Sequence, residues 1–150
     1  MNPLRAVAEA ALVVETGAAS VVRQCPQCGS TDHGRPFLVG SDLQVSIAYA
    51  GDVAAIAWGK SPVGIDLELA DAVPPVGLDV RGWTRLEALG KAGGAGVRDW
   101  PRSLPADLPT ELLTLPQAYV GTLAGLALGW RLIESPDQVA DQEAERDQDH

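Results

Sequence analysis

Three carboxylates and a lysine stand at spacings that suit metal-assisted chemistry. Asp66 and Glu68 are two residues apart in V-G-I-D-L-E-L, so in an extended strand their side chains point to the same face. Glu87 and Lys91 are four residues apart, which puts them on one face of a helix. Carboxylate oxygens are ligands for hard cations such as Mg²⁺, and a lysine ammonium binds phosphate or stabilises developing negative charge. The four residues therefore suit a metal site that handles a phosphorylated ligand.

Each pattern also has an ordinary structural interpretation. Alternating carboxylates are typical of the solvent face of a half-buried strand. A glutamate and a lysine at this spacing form a surface ion pair worth about 0.2–0.5 kcal/mol. Arg35 lies in H-G-R-P, where a guanidinium is suited to forking onto phosphate oxygens, but the same four residues suit a plain surface turn. Spacing alone leaves these alternatives open.

Two cysteines lie close together in C-P-Q-C-G-S-T-D-H. We expect Cys25 and Cys28 to be reduced thiols rather than a structural disulfide. With His33 they supply three ligands for zinc, and Asp32 or a second chain would have to supply the fourth. The interpretation that the sequence favours is packing of the loop by two small sulfur side chains.

The elements that position these residues follow from apolar periodicity and turn residues. The pattern after Asn2-Pro3 predicts a helix that ends at Gly17, and a second helix is predicted over 81–92, ending at Gly93-Gly94. Alternation predicts a short strand at Val21 and Val22 and a meander of three strands between Leu43 and Leu69. Further strands are predicted over 112–115, 119–126 and 128–133, after a proline-rich connection at 100–109.

Composition narrows the class of protein. The 150 residues are enough for one domain with a sizeable core. The net charge is −9, and residues 135–150 hold six acids against one arginine, so we expect a disordered acidic tail. The remaining charge near −4 gives no basic surface for nucleic acid. No apolar run has the length of a membrane span, and the first residues lack a signal peptide, so we expect a cytoplasmic protein.

Taken together and in order, the segments resemble the 4'-phosphopantetheinyl transferases of the larger, surfactin-synthetase-activating type. The resemblance covers roughly residues 4–133 and rests on C-P-Q-C-G-S-T-D-H-G-R-P-F-L, V-S-I-A-Y-A-G-D, V-G-I-D-L-E, W-T-R-L-E-A-L-G-K-A and T-L-P-Q-A-Y-V-G-T-L-A-G-L-A. It implies an α+β monomer of two small related lobes, residues 1–60 and 61–134, each with a helix on an antiparallel sheet. The ligand cleft would lie between the lobes.

The resemblance also implies an activity: Mg²⁺-dependent transfer of the 4'-phosphopantetheine arm of coenzyme A (CoA) to a serine of an acyl or peptidyl carrier protein, as in secondary metabolism. Asp66, Glu68 and Glu87 match the metal ligands, and Glu87 also matches the group that deprotonates the serine. Lys91 matches a catalytic residue that contacts phosphate. The positions that match CoA contacts are His33, Arg35, Ser46, Tyr49 and Lys91.

The chain departs from the family pattern near the expected site. Tyr49 stands where the family has a phosphate-contacting histidine, and Leu86 stands where it has a lysine. Fourteen residues separate Glu68 from Trp83, where the family has a longer segment. These departures favour a second interpretation, a non-catalytic relative that binds CoA or a carrier protein in a biosynthetic pathway.

Overall fold

The computed structural model describes residues 3–25, 27–75, 77–94 and 107–135. Within them the chain is α+β, as expected, with two helices and antiparallel sheets. In chain order the elements are α1 (Pro3–Thr16), β1 (Ser20–Gln24), β2 (Arg35–Val39), β3 (Gln44–Ala50), β4 (Val53–Gly59), β5 (Gly64–Leu69), α2 (Val80–Gly93), β6 (Thr110–Leu112), β7 (Tyr119–Ala124) and β8 (Gly129–Glu134).

The strands form three small sheets, β1-β2, β3-β4-β8 and β5-β7-β6. The β3–β4 hairpin of the expected meander is present, but the prediction that β5 extends it is wrong. The second edge of β4 pairs with β8 instead, in register from Val53↔Glu134 to Trp58↔Gly129. The chain leaves that sheet at the Lys60-Ser61-Pro62 turn, and β5, which follows the turn, pairs with β7. The strand predicted over 112–115 begins earlier and ends at Leu112.

The first helix forms and ends where the sequence predicts. Its buried stripe, Leu4, Ala8 and Leu12, packs on β4 and belongs to one core cluster with residues of β3 and with Ile133 of β8. Gly17 takes a positive φ of 72° and donates its N–H to the Val13 carbonyl at 2.9 Å, which closes the last turn.

The second helix is capped at both ends and packs tightly on β5. Asp79 Oδ1 accepts a hydrogen bond of 2.7 Å from the Gly82 N–H, and Gly94 takes the left-handed conformation beyond the last turn. A Cβ on Gly64 would lie 1.9 Å from the Ala88 carbonyl oxygen, so only a glycine permits this helix–strand contact. The backbone of α2 therefore fills the space beside Gly64.

A second core joins the two halves of the chain. It contains Ala48, Ala55 and Ala57 from β3 and β4 together with Ile65, Leu67 and Leu123 from β5 and β7. β8 follows the β5-β7-β6 sheet in sequence but pairs within the β3-β4-β8 sheet. The division at residue 60, and the relation between the two lobes, stay predictions.

Residues 136–150, which make up nearly all of the expected acidic tail, lie outside the described residues, as does most of the proline-rich connection. In the described part of the chain, no helix is both long and apolar enough to span a membrane.

Candidate functional site

Lys91 of α2 reaches across to the backbones of β3 and β5. Its Nζ donates hydrogen bonds to the Ile47 carbonyl at 3.2 Å, the Ile65 carbonyl at 3.0 Å and Asp66 Oδ1 at 3.1 Å. An ammonium group has three N–H donors, so these contacts use all of them. The sequence predicted a lysine beside the carboxylates, and the structure brings Lys91 to Asp66. The same lysine also links two strands that belong to different sheets.

Asp66 is a buried carboxylate rather than one on a solvated strand face. The residue is 6 % exposed, because α2 covers the face of β5 that carries it. Asp66 Oδ1 contacts Lys91, whereas Oδ2 is buried and has no hydrogen-bond partner among the described residues. Burial raises the pKa of Asp66 to about 7; Lys91 opposes this rise, and the charges of Glu87 and Glu68 add to it. A buried acceptor without a partner is costly unless a ligand completes it.

Glu87 and Glu68 complete a cluster of three carboxylates. Burial raises the pKa of Glu87, Lys91 lowers it and the negative charge of Glu68 raises it further. Both glutamates also act on Asp66, so the three groups lie close enough to repel one another. Three carboxylates with one lysine carry excess negative charge, but in the described part of the chain their oxygens do not all lie within 4.8 Å of one another, so they do not form a closed metal site as they stand. The buried Asp66 Oδ2, which has no hydrogen-bond partner among the described residues, is the one oxygen of the three groups shown to lack a partner.

A cavity of about 320 Å³ opens beside Lys91, and none of the three carboxylates is among the described residues that line it. Lys91 lies in its wall, and two arginines, Arg23 and Arg35, lie in the same wall. Three basic side chains around one cavity stand out in a chain with a net charge of −9. The cavity is therefore suited to an anionic ligand.

Arg35 lies between the β1–β2 hairpin and the end of α2. It begins β2, its Nη2 donates to Gln44 Oε1 at 3.4 Å, and its guanidinium lies 5.8 Å from the centre of the Phe37 ring. A Cβ on Gly94 would lie 2.7 Å from Arg35 Nη1. The glycine that caps α2 thus also makes room for this arginine. The predicted phosphate-binding arginine lines the cavity, although it starts a strand rather than sitting in a turn.

Ser46 and Tyr49, two of the predicted CoA contacts, have different positions. Ser46 lines the cavity, and its buried Oγ accepts a hydrogen bond of 3.0 Å from the Ile65 N–H. Tyr49 lies outside the wall formed by the described residues. Its hydroxyl accepts a hydrogen bond of 3.4 Å from Arg23 Nη2. Burial raises the pKa of Tyr49, so the hydroxyl stays protonated at neutral pH.

Arg23 is the residue of this cavity that the sequence reasoning missed. Its side chain is 11 % exposed, and besides Tyr49 it donates to Glu9 Oε1 at 3.1 Å and to the Gly34 carbonyl at 3.3 Å. Arg23 could have been found from the pairing of β1 with β2, because this pairing sets Arg23 opposite Pro36 of the H-G-R-P motif. That pairing was not predicted, because the sequence reasoning read H-G-R-P as a loop or surface turn.

His33 is the fifth predicted CoA contact. It lies with the cysteines and is not among the described residues that line the cavity. Its Nε2 is 3.4 Å from Cys28 Sγ. Cys25 and Cys28 are both present as thiols, as expected.

No protein-family model, no curated protein and no solved structure matches this chain. The resemblance carried by the motifs therefore stays a prediction, and the function has to be argued from the carboxylate cluster and its cavity.

Proposed function

We propose that this chain is a Mg²⁺-dependent transferase that moves the 4'-phosphopantetheine arm of CoA to a carrier-protein serine. The observation that carries the proposal is the ion pair between buried Asp66 and Lys91, which lines a basic cavity, with Glu68 and Glu87 acting electrostatically on Asp66. CoA carries a pyrophosphate and a 3'-phosphate, so its recognition needs both a cation site and further basic groups. The carboxylates would supply the cation site, and the arginines that line the cavity would supply the further basic groups.

The carboxylates are the candidate ligands for Mg²⁺. Asp66 would bind it through Oδ2, which lacks a partner, and Glu68 and Glu87, whose charges act on Asp66, would supply further carboxylate oxygens. When bound, Mg²⁺ would neutralise the pyrophosphate and orient it for attack by the serine. Such a site leaves several coordination positions for water and phosphate, which is usual for this cation.

The chain's own groups bind and orient the substrate and take up the proton. Arg23 and Arg35 hold phosphate oxygens in the cavity. Lys91 reaches a phosphate oxygen by giving up its hydrogen bond to Asp66 for one to the phosphate. Its two hydrogen bonds to backbone carbonyls keep the ammonium group in place. Glu87, half-buried and with a raised pKa, accepts the proton of the serine hydroxyl.

A second candidate is a non-catalytic protein that binds CoA or a carrier protein. The observation that favours it is the complete engagement of the Lys91 ammonium by acceptors of its own chain. Tyr49 at the position of the family's histidine has the same implication, because a protonated hydroxyl brings no positive charge. In this candidate CoA binds in the cavity but is not consumed.

The proposal is tested by following the release of adenosine 3',5'-bisphosphate from CoA in the presence of Mg²⁺ and an apo carrier protein. We expect Glu87→Gln to slow release by at least about a hundredfold, as loss of a general base does. Glu111→Gln removes an exposed carboxylate from β6 and is the matched control. Normal turnover by Glu87→Gln would contradict the assignment. CoA binding by wild type without any release would favour the second candidate.

A further inference from the structure

A second cluster of metal-binding side chains lies in the loop between β1 and β2. Cys25, Cys28 and His33 each place one ligand atom within 4.8 Å of the others. The contact between Cys28 Sγ and His33 Nε2 is 3.4 Å. Two thiols and an imidazole are soft and borderline donors, unlike the hard carboxylate oxygens around Asp66. The two clusters therefore suit different metals.

One separation between ligand atoms matches that of a tetrahedral zinc centre. With Zn–S near 2.3 Å and Zn–N near 2.0–2.1 Å, a sulfur and a nitrogen on one zinc ion lie roughly 3.5 Å apart. The observed 3.4 Å between Cys28 Sγ and His33 Nε2 already has this value. Because Nε2 is the atom that faces the sulfur, it is the ligand atom of His33.

The backbone of the loop is folded to bring the two sulfurs together. The Gly29 N–H donates to the Cys25 carbonyl at 2.8 Å, and the Cys25 N–H donates to the Ser30 carbonyl at 2.9 Å. Gly29 has a positive φ of 71°, which favours glycine at this turn. These contacts form a tight turn around the C-x2-C pair, the spacing typical of zinc ligands.

The end of the loop packs against its own start, and the residues that follow line the cavity described above. Gly34 has a positive φ of 103°, and a Cβ there would lie 2.5 Å from the Cys25 N. Arg5 of α1 donates to the Asp32 carbonyl at 2.9 Å. Arg35 follows directly and lines the cavity. A metal ion bound between Cys25 and His33 would therefore fix the position of the backbone just before Arg35.

We infer that Cys25, Cys28 and His33 bind one Zn²⁺ ion, with the fourth ligand supplied by a second chain, and that the ion holds the β1–β2 loop in place. The role is structural: the zinc positions Arg35 and takes no part in transfer. The inference does not depend on the proposed function, since it concerns different residues, a different metal and a different readout.

The experiment uses the 150-residue chain, purified with a reductant and stripped of metal, then titrated with Zn²⁺ and with Co²⁺ as a spectroscopic probe. We expect about one ion per chain and, with Co²⁺, the charge-transfer absorption of a metal-bound thiolate. Carboxylates give no such absorption, so binding at Asp66 is distinguished from binding at the cysteines. Added Zn²⁺ should also raise the thermal midpoint, because it binds the folded chain.

Cys28→Ser and His33→Ala are the test variants, because both residues are exposed and their replacement leaves the core intact. We expect each to weaken binding at least about tenfold and Cys28→Ser to weaken the thiolate absorption. Gln27→Ala, an exposed change within the same turn, should bind as wild type does. Absence of thiolate absorption in the reduced wild type, or equal affinity in wild type and both test variants, would overturn the inference.

Discussion

Replacing Asp66 by asparagine should make the metal-free protein less sensitive to alkaline pH. The pKa of Asp66 is about 7 in the folded chain against an ordinary value of 3.8, mainly because the carboxylate is buried. Between these values the folded state therefore holds more protons than the unfolded state does. The free energy of unfolding consequently falls as the pH rises from about 4 to about 7, and the full cost persists above that range.

The size of the effect follows from this difference. One pKa unit corresponds to about 1.36 kcal/mol, so burial of the ionised Asp66 costs about 4 kcal/mol once the group is fully charged in both states. About 2.5 kcal/mol of this cost develops between about pH 5 and pH 8. Asparagine introduces an amide donor beside the orphaned position and loses the ion pair with Lys91, at a cost of about 1–3 kcal/mol. The amide does not titrate, so the difference between variant and wild type should grow in favour of Asp66→Asn by about 2.5 kcal/mol over that range.

The assay is chemical denaturation of both proteins in EDTA at several pH values. Asp71→Asn, which removes an exposed carboxylate from the turn after β5, is the control for the change in net charge. A stability difference that stays constant within about 0.5 kcal/mol from about pH 5 to pH 8 would refute the reasoning, because it would mean that Asp66 does not titrate as a desolvated carboxylate. Addition of Mg²⁺ should then stabilise the wild type and not Asp66→Asn.

Three further changes probe the packing and the cavity. Gly64→Ala should lower the free energy of unfolding by at least about 3 kcal/mol, because its Cβ would meet the Ala88 carbonyl; wild-type stability in denaturation would mean that α2 does not pack there. Arg35→Ala should weaken CoA binding about tenfold in calorimetric titration, as loss of a charge-assisted hydrogen bond does, whereas the exposed Arg85→Ala should not; equal affinities would remove Arg35 from the binding site. Tyr49→His should tighten CoA binding at mildly acidic pH, where the imidazole is charged; a large loss of affinity would mean that the Tyr49 hydroxyl itself is needed.

Much of the fold was predictable because its signals are local. A proline at the first turn marks α1, glycines mark the ends of both helices, and alternation marks β3 and β4. Local signals also placed Glu87 and Lys91 on the helix face that meets Asp66. The i,i+4 spacing and the strand period fix which side chains share a face, whatever the sheet does.

The rest of the fold and of the site depends on which strands pair across long distances in the chain, and the spacing of residues in the sequence does not determine this. Nothing in the sequence of β8 shows that it pairs with β4 rather than with β7, its neighbour along the chain. The burial of Asp66 was missed because alternation predicts which residues share a face but not whether a helix covers it. Arg23 was missed for the same reason, since it joins the cavity only through the pairing of β1 with β2.

The most direct test of the central claim is the intact mass of an apo carrier protein after incubation with this protein, CoA and Mg²⁺. The account predicts a gain of about one phosphopantetheine per carrier, abolished by EDTA and by replacing the carrier's acceptor serine with alanine. No gain in mass across several acyl and peptidyl carriers, with Mg²⁺ present and CoA binding demonstrated, would contradict the transferase assignment.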